Sequence, residues 1–325
     1  MIDYRKKTIT KGQQQLRCGY TTGTCAAAAA KAAAVALLTG EICRDVAICL
    51  PGGENILLET ETLEHQKNCV KCGVIKDAGD DPDITNGLMI CAAVEKNTSG
   101  EICIDGGEGV GRVTQPGLDQ PVGAAAINSV PRKMIQEAVE SVCRQYHYTE
   151  GLMVTISIPK GRETAEKTLN PMLGIVGGLS VLGTTGIVEP MSEKALIDTI
   201  AVDIRRHRAQ GEDILVMAPG NYGLDYLKAA CDIHSEQVIK ISNFVGDSID
   251  LAVCEGASGI VLAGHIGKLI KVAGGIMNTH SHQADARMEI LTAYAAVAGA
   301  DGETLRLVMK AVTTDAGMEI LQRCG

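Results

Sequence analysis

The side chains best suited to chemistry sit in glycine-rich turns that follow short apolar runs. Gly264-His265-Ile266-Gly267-Lys268 follows residues 259–263, and Lys271 comes three residues later. At i, i+3 and i+6, His265, Lys268 and Lys271 fall along one side of a helix. An imidazole in such a turn can move a proton near neutral pH; the ordinary alternative is a surface or hydrogen-bonded histidine. Thr279-His280-Ser281-His282 and Arg287 add local positive charge. Asn243-Phe244-Val245-Gly246-Asp247 follows residues 238–242, and Pro219-Gly220-Asn221-Tyr222-Gly223 follows 214–218. Gly177-Gly178 runs through Gly183-Thr184-Thr185-Gly186 after an apolar start at 174. Open parallel sheets bind ligands at the carboxyl ends of their strands, and glycine lets backbone approach a ligand closely. These four loops together predict one rim for a nucleotide-sized ligand.

Two phosphate fingerprints fail. Gly267-Lys268 lacks the first glycine of a P-loop, because Leu262 stands there, and Leu269 replaces the magnesium-binding hydroxyl. Gly107-Glu108-Gly109-Val110-Gly111 follows a strand but opens no helix, since Val113 to Gly117 reads as extended and is broken by Pro116. It is expected to be a tight loop. A non-phosphorylated nucleoside cofactor stays open.

The elements that must position these loops change character near residue 151. Beyond it, strands at 153–158, 214–218, 238–242 and 259–263 alternate with helices at 192–208, 224–231, 247–255 and 266–273. That alternation predicts a parallel sheet covered on both faces. Residues 304–321 read as closing helices. Before 151, a helix capped by Thr22 or Thr24 runs to about Leu38 and is stopped by Gly40. Its Thr-Gly start either attracts an anion through free N–H groups or is plain capping. Strand-like runs at 45–50, 55–61, 70–76, 88–94 and 101–105 read as a meander rather than βαβ. Pro131 opens a helix at 132–146. Asp77, Asp80, Asp81 and Asp83 lie within seven residues but lack the EF-hand spacing. An acidic turn and a proton-directing carboxylate both remain open. The expected fold is α/β, with an α+β domain over 1–150 and a Rossmann-like parallel-sheet domain over 151–325.

Composition bounds the rest. The net charge is −9, so no basic footprint points to nucleic acid. Aromatics are 2%, with Phe244 the single Phe, so a flat ligand must be held by aliphatic groups and backbone. The start has no apolar signal region, and the apolar run 25–38 is broken by Lys31 and too short to span a bilayer. A cytoplasmic protein without membrane contact is expected. The twelve Cys, among them Cys49, Cys91, Cys103, Cys143 and Cys254 inside apolar elements, read as reduced buried thiols. Cys69 and Cys72 form a lone C-x-x-C with no second ligand pair, so no metal site is expected.

The order of motifs carries a resemblance. Arg17-Cys18-Gly19-Tyr20-Thr21-Thr22-Gly23-Thr24-Cys25 opens the chain and Lys76-Asp77-Ala78-Gly79-Asp80-Asp81-Pro82-Asp83 follows. Gly109-Val110-Gly111 with Thr114-Gln115-Pro116-Gly117, then Asn170-Pro171, Gly177-Gly178, Gly183-Thr184-Thr185-Gly186, Asn243 to Asp247 and Gly264 to Lys268 complete the set. Over nearly the whole chain this resembles the CbiD family, the cobalt-precorrin-5B C1-methyltransferases of anaerobic cobalamin biosynthesis. The family commonly has another residue at the position of Cys18. The resemblance implies S-adenosyl-L-methionine as methyl donor, C1 of a cobalt-precorrin as acceptor and cobalt-precorrin-6A as product. Cobalt then belongs to the substrate. Candidate cofactor contacts are Gly177, Gly178, Gly183, Thr184, Thr185, Gly220, Asn221, Asn243 and Gly246. His265 or Asp247 is the candidate base. Arg17, Arg132, Lys268 and Lys271 are candidates for the substrate carboxylates, with Thr21 and Thr22 beside them. A homo-oligomer and transient contact with other corrin-pathway enzymes are compatible with this reading. The rivals are another nucleotide-dependent transferase, with phosphate at the helix end 21–24, and a non-catalytic carrier of a corrin intermediate.

Overall fold

The computed structural model describes residues 7–324. They form two compact units, one ending at Ser192 and the other starting at Glu193. The first unit runs β1 (Thr8–Lys11), β2 (Gln14–Arg17), β3 (Gly19–Tyr20), α1 (Thr22–Thr39), β4 (Asp45–Cys49), β5 (Asn55–Glu59), β6 (Glu61–His65), β7 (Cys69–Ile75), β8 (Met89–Asn97), β9 (Ile102–Gly106), β10 (Arg112–Val113), α2 (Ser129–Gln145), β11 (Gly151–Ser157), α3 (Gly161–Ala165), β12 (Ile175–Val176) and β13 (Ile187–Val188).

Helix α1 forms because Thr21, in extended conformation, accepts the amide of Thr24 at 3.2 Å, and Gly40 ends it at φ 79°. The cap is thus one residue before Thr22. Its alanines are small on every side, so α1 packs against α2, β7 and β8 with almost no exposed face. By length and composition it could cross a bilayer, contrary to the expectation from its sequence, but 78% of it is buried inside the unit. It is a core helix.

The main sheet has the order β6-β7-β8-β11-β9. The first four strands are antiparallel neighbours, but β11 pairs parallel with β9. The expected meander therefore holds for β6 to β8 and fails at the sheet's other side, where β9, α2 and β11 make a βαβ crossover. This also moves the boundary. β11 is clamped between two strands of the first unit, so the division falls at Ser192/Glu193 and not at 150/151. The run 55–61 divides at the buried Thr60 into β5 and β6, which belong to different sheets.

The acidic turn after β7 is structural. Asp77 takes both arms of Arg17 at 2.6 and 2.8 Å, and Asp80 accepts the Arg17 amide. Asp81 accepts the amide of Met191, and Asp83 holds the buried Lys76 ammonium at 2.5 Å. Burial pushes the Asp83 carboxyl up, but Lys76 and Thr85 pull it further down, so it ends below its ordinary range. All twelve cysteines are free, and burial pushes the Cys25 thiol up to about 12. Cys49 and Cys254, expected inside, are exposed.

The second unit runs α4 (Glu193–Ala209), β14 (Ile214–Ala218), α5 (Asn221–Cys231), β15 (Ile239–Lys240), α6 (Val245–Cys254), β16 (Gly259–Leu262), α7 (Ile266–Ala273), α8 (Arg287–Val297), α9 (Gly302–Lys310) and α10 (Thr314–Cys324). Its three strands, ordered β15-β14-β16, are all parallel. Ile200 and Ile204 of α4 and Ala252 of α6 bury one apolar cluster with Leu215, Met217 and Ile239. Leu227 of α5 buries a separate cluster with Ala218 and Val238. Helices α7 to α10 pack around Ile270, Leu291 and Val308. The Rossmann-like expectation holds, with three strands rather than more.

Two outcomes test this packing. Asp83→Asn strands the Lys76 charge and should cost the first unit about 3 kcal/mol in urea denaturation at neutral pH. A carboxyl lowered on folding contributes stability above its unfolded pKa, about 3.9, and loses it as pH falls through the folded value. The deficit of the variant should therefore shrink on acidification below pH 4; a deficit independent of pH would remove the ion pair as its cause. Gly178→Ala would place a methyl 2.3 Å from the Gly109 carbonyl oxygen. It should cost about 1–3 kcal/mol, and an unchanged urea midpoint would contradict the close contact.

Candidate functional site

In the second unit, β14 is followed by β15 on one side and β16 on the other. The strand order reverses between β14 and β16, and that is where open α/β sheets leave a crevice beyond their carboxyl ends. A cleft of ≈ 380 Å³ opens there. Pro219, Gly220, Tyr222 and Gly223 line it from the β14–α5 turn, and His265, Gly267, Lys268 and Lys271 from the β16–α7 turn. Asn243 reaches it from the β15–α6 turn, Thr279, His280 and Ser281 from the segment joining α7 to α8, and Arg287 from the start of α8.

Each side chain is held by identifiable bonds. His265 is the N-cap of α7, its Nδ1 accepting the Gly267 amide at 3.1 Å. Its Nε2 lies 3.2 Å from Asp315, and its ring lies 5.1 Å from that of Tyr222. Lys268 donates to the carbonyls of Pro219 and Ser242, tying the β14 and β15 loops to α7. Burial, then the neighbouring Lys271, lowers the Lys268 pKa. Lys271 is 4% exposed and donates to the carbonyls of Thr279 at 3.2 Å and Ala284 at 2.8 Å. Arg287 is paired through both Nε and a terminal nitrogen with Asp285, whose carboxyl it holds below the usual range. No Asp or Glu lines the cleft.

The structure brings together five of the residues singled out from sequence: Gly220, Asn243, His265, Lys268 and Lys271. Three neighbours stay outside the lining. Asn221 is exposed in the first turn of α5. Gly246 donates its amide to the Met277 carbonyl at 3.1 Å. Asp247 is exposed in the first turn of α6, where a carboxylate complements the helix dipole. As a candidate base, His265 has its Nδ1 engaged by the cap and its Nε2 directed at Asp315.

The remaining candidates belong to the first unit, so the expected rim of four loops is a rim of three. Gly178 packs against the backbone of Gly109, and Gly183 against the Thr21 side chain. Gly177 has a φ of 86° and open space at its Cβ position. Thr185 bonds to the backbone of Ile187 at either end, and Thr184 lies in the same turn. The Thr22 hydroxyl exchanges bonds with the backbone of Leu182. Three amides in the first turn of α1 are satisfied internally, Gly23 by Leu182, Thr24 by the Thr21 hydroxyl and Cys25 by the Thr21 carbonyl. These bonds favour plain capping over anion contact at residues 21–24. Arg17 is neutralised by Asp77, which raises its pKa. Arg132 donates to the Ile104 carbonyl at 2.8 Å, and its Nε is buried without a partner.

Tyr222, Thr279, His280, Ser281 and Arg287 line the cleft without having been assigned to it from sequence. The segment 279–287 showed only as local charge, since nothing in its pattern says that it folds back over a strand end. Among the described residues no group of three His, Cys, Asp or Glu side chains is placed to hold a metal ion.

The CbiD family model matches residues 9–190, and a model described as "CbiD, C-terminal domain" matches 278–325. A cobalt-precorrin-5B C(1)-methyltransferase of Ruminiclostridium cellulolyticum is 49% identical over 98% of this chain and 82% of its own. One from Thermoanaerobacter sp. is 48% identical over 98% and 86%, and one from Salmonella typhimurium 44% over 95% and 81%. The crystal structure of a cobalamin biosynthesis protein (CbiD) from Archaeoglobus fulgidus is 28% identical, with a TM-score of 0.47 over 88% of this chain and 89% of that one. With more than half of the chain matched by the first model and identities near one half along almost its whole length, the chain belongs to the CbiD family.

Proposed function

We propose that this chain transfers a methyl group from S-adenosyl-L-methionine to C1 of cobalt-precorrin-5B, in the cytoplasm, giving cobalt-precorrin-6A on the route to cobalamin. The observation that carries the reading is the 44–49% identity, over 95–98% of the chain, to relatives named for that reaction. The second unit adds a crevice at the topological switch point, the usual ligand position in open parallel sheets. Its volume lies toward the lower end of the range for small-molecule sites, about 300–1,000 Å³.

A sulfonium methyl supplies the transferred carbon as an electrophile. The chain's part is to align it with the acceptor carbon and exclude water, which lowers the barrier chiefly through orientation. The switch-point cleft does not fit the donor. S-adenosyl-L-methionine carries a sulfonium and an ammonium, while the cleft lining offers Lys268, Lys271 and the Asp285-paired Arg287 and no carboxylate. The cleft's own groups fix loops. Lys268 joins the turns after β14 and β15 to α7, and Lys271 holds the 279–284 segment against the same helix. His265 sets the start of α7, and neither of its ring nitrogens is left without a neighbour.

Two measurements test the reading. The chain incubated with S-adenosyl-L-methionine and cobalt-precorrin-5B formed in situ should give a tetrapyrrole heavier by one methyl, absent without the donor, in the product mass spectrum. Bound but unmethylated tetrapyrrole would leave the carrier instead. His265→Asn keeps a capping side chain and should retain turnover within a few-fold. A loss of about 10²-fold or more would return His265 to the mechanism as a proton-transfer group.

A further inference from the structure

We propose that the switch-point cleft is a carboxylate subsite for the acid side chains of the tetrapyrrole, with Lys271 as its buried cation. The assignment rests on the reading that the chain acts on such a substrate, and it deepens that reading by naming what this cleft holds.

Three cationic side chains are buried among the described residues: Lys76, Arg206 and Lys271. Lys76 is paired with Asp83 at 2.5 Å and Arg206 with Asp203 at 2.8 Å. Lys271 has no carboxylate within ion-pair distance. Its amine meets two neutral carbonyls, those of Thr279 and Ala284. An ammonium has three donors, so one hydrogen is left over on this buried cation, which lines the cleft; the carboxylate that feels its charge, Asp285, is itself paired with Arg287. Taking an ammonium out of water is costly unless an anion offsets it. Lys268 stands one helical turn away, likewise bonded to carbonyls alone, and the two lysines oppose each other electrostatically. This positive spot sits in a chain of net charge −9, so overall composition does not produce it.

A carboxylate could come from either reactant. The methionine carboxylate of the donor arrives with an ammonium and a sulfonium, a net cation that two lysines repel. The acid side chains of a tetrapyrrole arrive without compensating charge. Gly220 fits the same picture: a Cβ there would lie 3.7 Å from the Lys268 amine, the one heavy atom within 4 Å of it.

The test is isothermal titration of the full chain with uroporphyrin, a stable tetrapyrrole polycarboxylate, and separately with S-adenosylhomocysteine. Wild-type affinity for uroporphyrin should fall with added salt. Lys271→Met and Lys268→Gln should each weaken it about tenfold, leave S-adenosylhomocysteine binding near the wild-type value, and raise KM for the corrin substrate more than they lower kcat. Should Lys271→Met fail to fold, Lys268→Gln carries the test, because its amine is only half-buried. Uroporphyrin affinity unchanged in the folded variants would overturn the subsite, as would a parallel loss of S-adenosylhomocysteine binding, which would give the cleft to the donor. Methyl transfer by the wild type with a lysine-independent KM would sink the subsite alone. Lysine-dependent uroporphyrin binding without any methyl transfer would keep the subsite and remove the methyltransferase reading.

Discussion

A helix with no free face governs the first unit. From Cys25 to Ala36 all but two side chains of α1 are buried, and most are a single methyl. Such a helix gains little from any one contact, so its place depends on close approach from every side at once. The neighbouring chain meets that demand with backbone. At Gly19 a Cβ would fall 2.1 Å from the backbone of Ala78, and at Gly79 one would fall 2.2 Å from the Arg17 carbonyl. The β3 strand and the acidic turn therefore touch main chain to main chain. The bond between Arg17 and Asp77, and that between Lys76 and Asp83, close the same junction. The threonines that begin α1 are part of this closure, bonding to the backbone of Leu182 and Gly186.

The second unit solves a different problem. Three parallel strands are a small sheet, and its two faces are covered by helices that leave the strand ends open. The cleft exists because the order β15-β14-β16 sends successive connections to opposite sides of β14. Its floor is then set by whatever side chains the turns supply. Here they supply ammonium groups that bond to loop carbonyls, so the groups that fix the loops also set the cleft's charge.

Much of this was legible in the sequence where the signal is local. The strand Ile214–Ala218 and the helix Ile266–Ala273 begin and end where their apolar runs do. Gly40 stops α1 as a left-handed glycine should. The order of motifs pointed to the family on its own. What sequence did not carry was long-range. β11 reads as a strand, but nothing in residues 151–157 says that it slots between β8 and β9, partners encoded about fifty residues earlier. The domain boundary was misplaced for that one reason. Similarly, the i, i+3, i+6 spacing put His265, Lys268 and Lys271 on one side of a helix, yet the helix alone does not say that Lys271 is buried. That follows from the segment 279–284 folding over it.

The glycine-rich turns show why motif counting overestimated the rim. Glycine is selected for two physical reasons that look alike in a sequence: to let a ligand reach the backbone, and to let two backbones touch. The structure separates them by what a side chain would meet. At Gly178 and Gly111 an added Cβ would meet main-chain atoms at 2.3 Å and a side chain at 2.4 Å, so these turns are closed by the chain itself. At Gly220 the nearest atom is the Lys268 ammonium at 3.7 Å, and the wall is otherwise open. Only the second kind can serve a ligand directly. On that criterion Gly220 is of the second kind, while Gly178 and Gly183 mark where the first unit packs against itself.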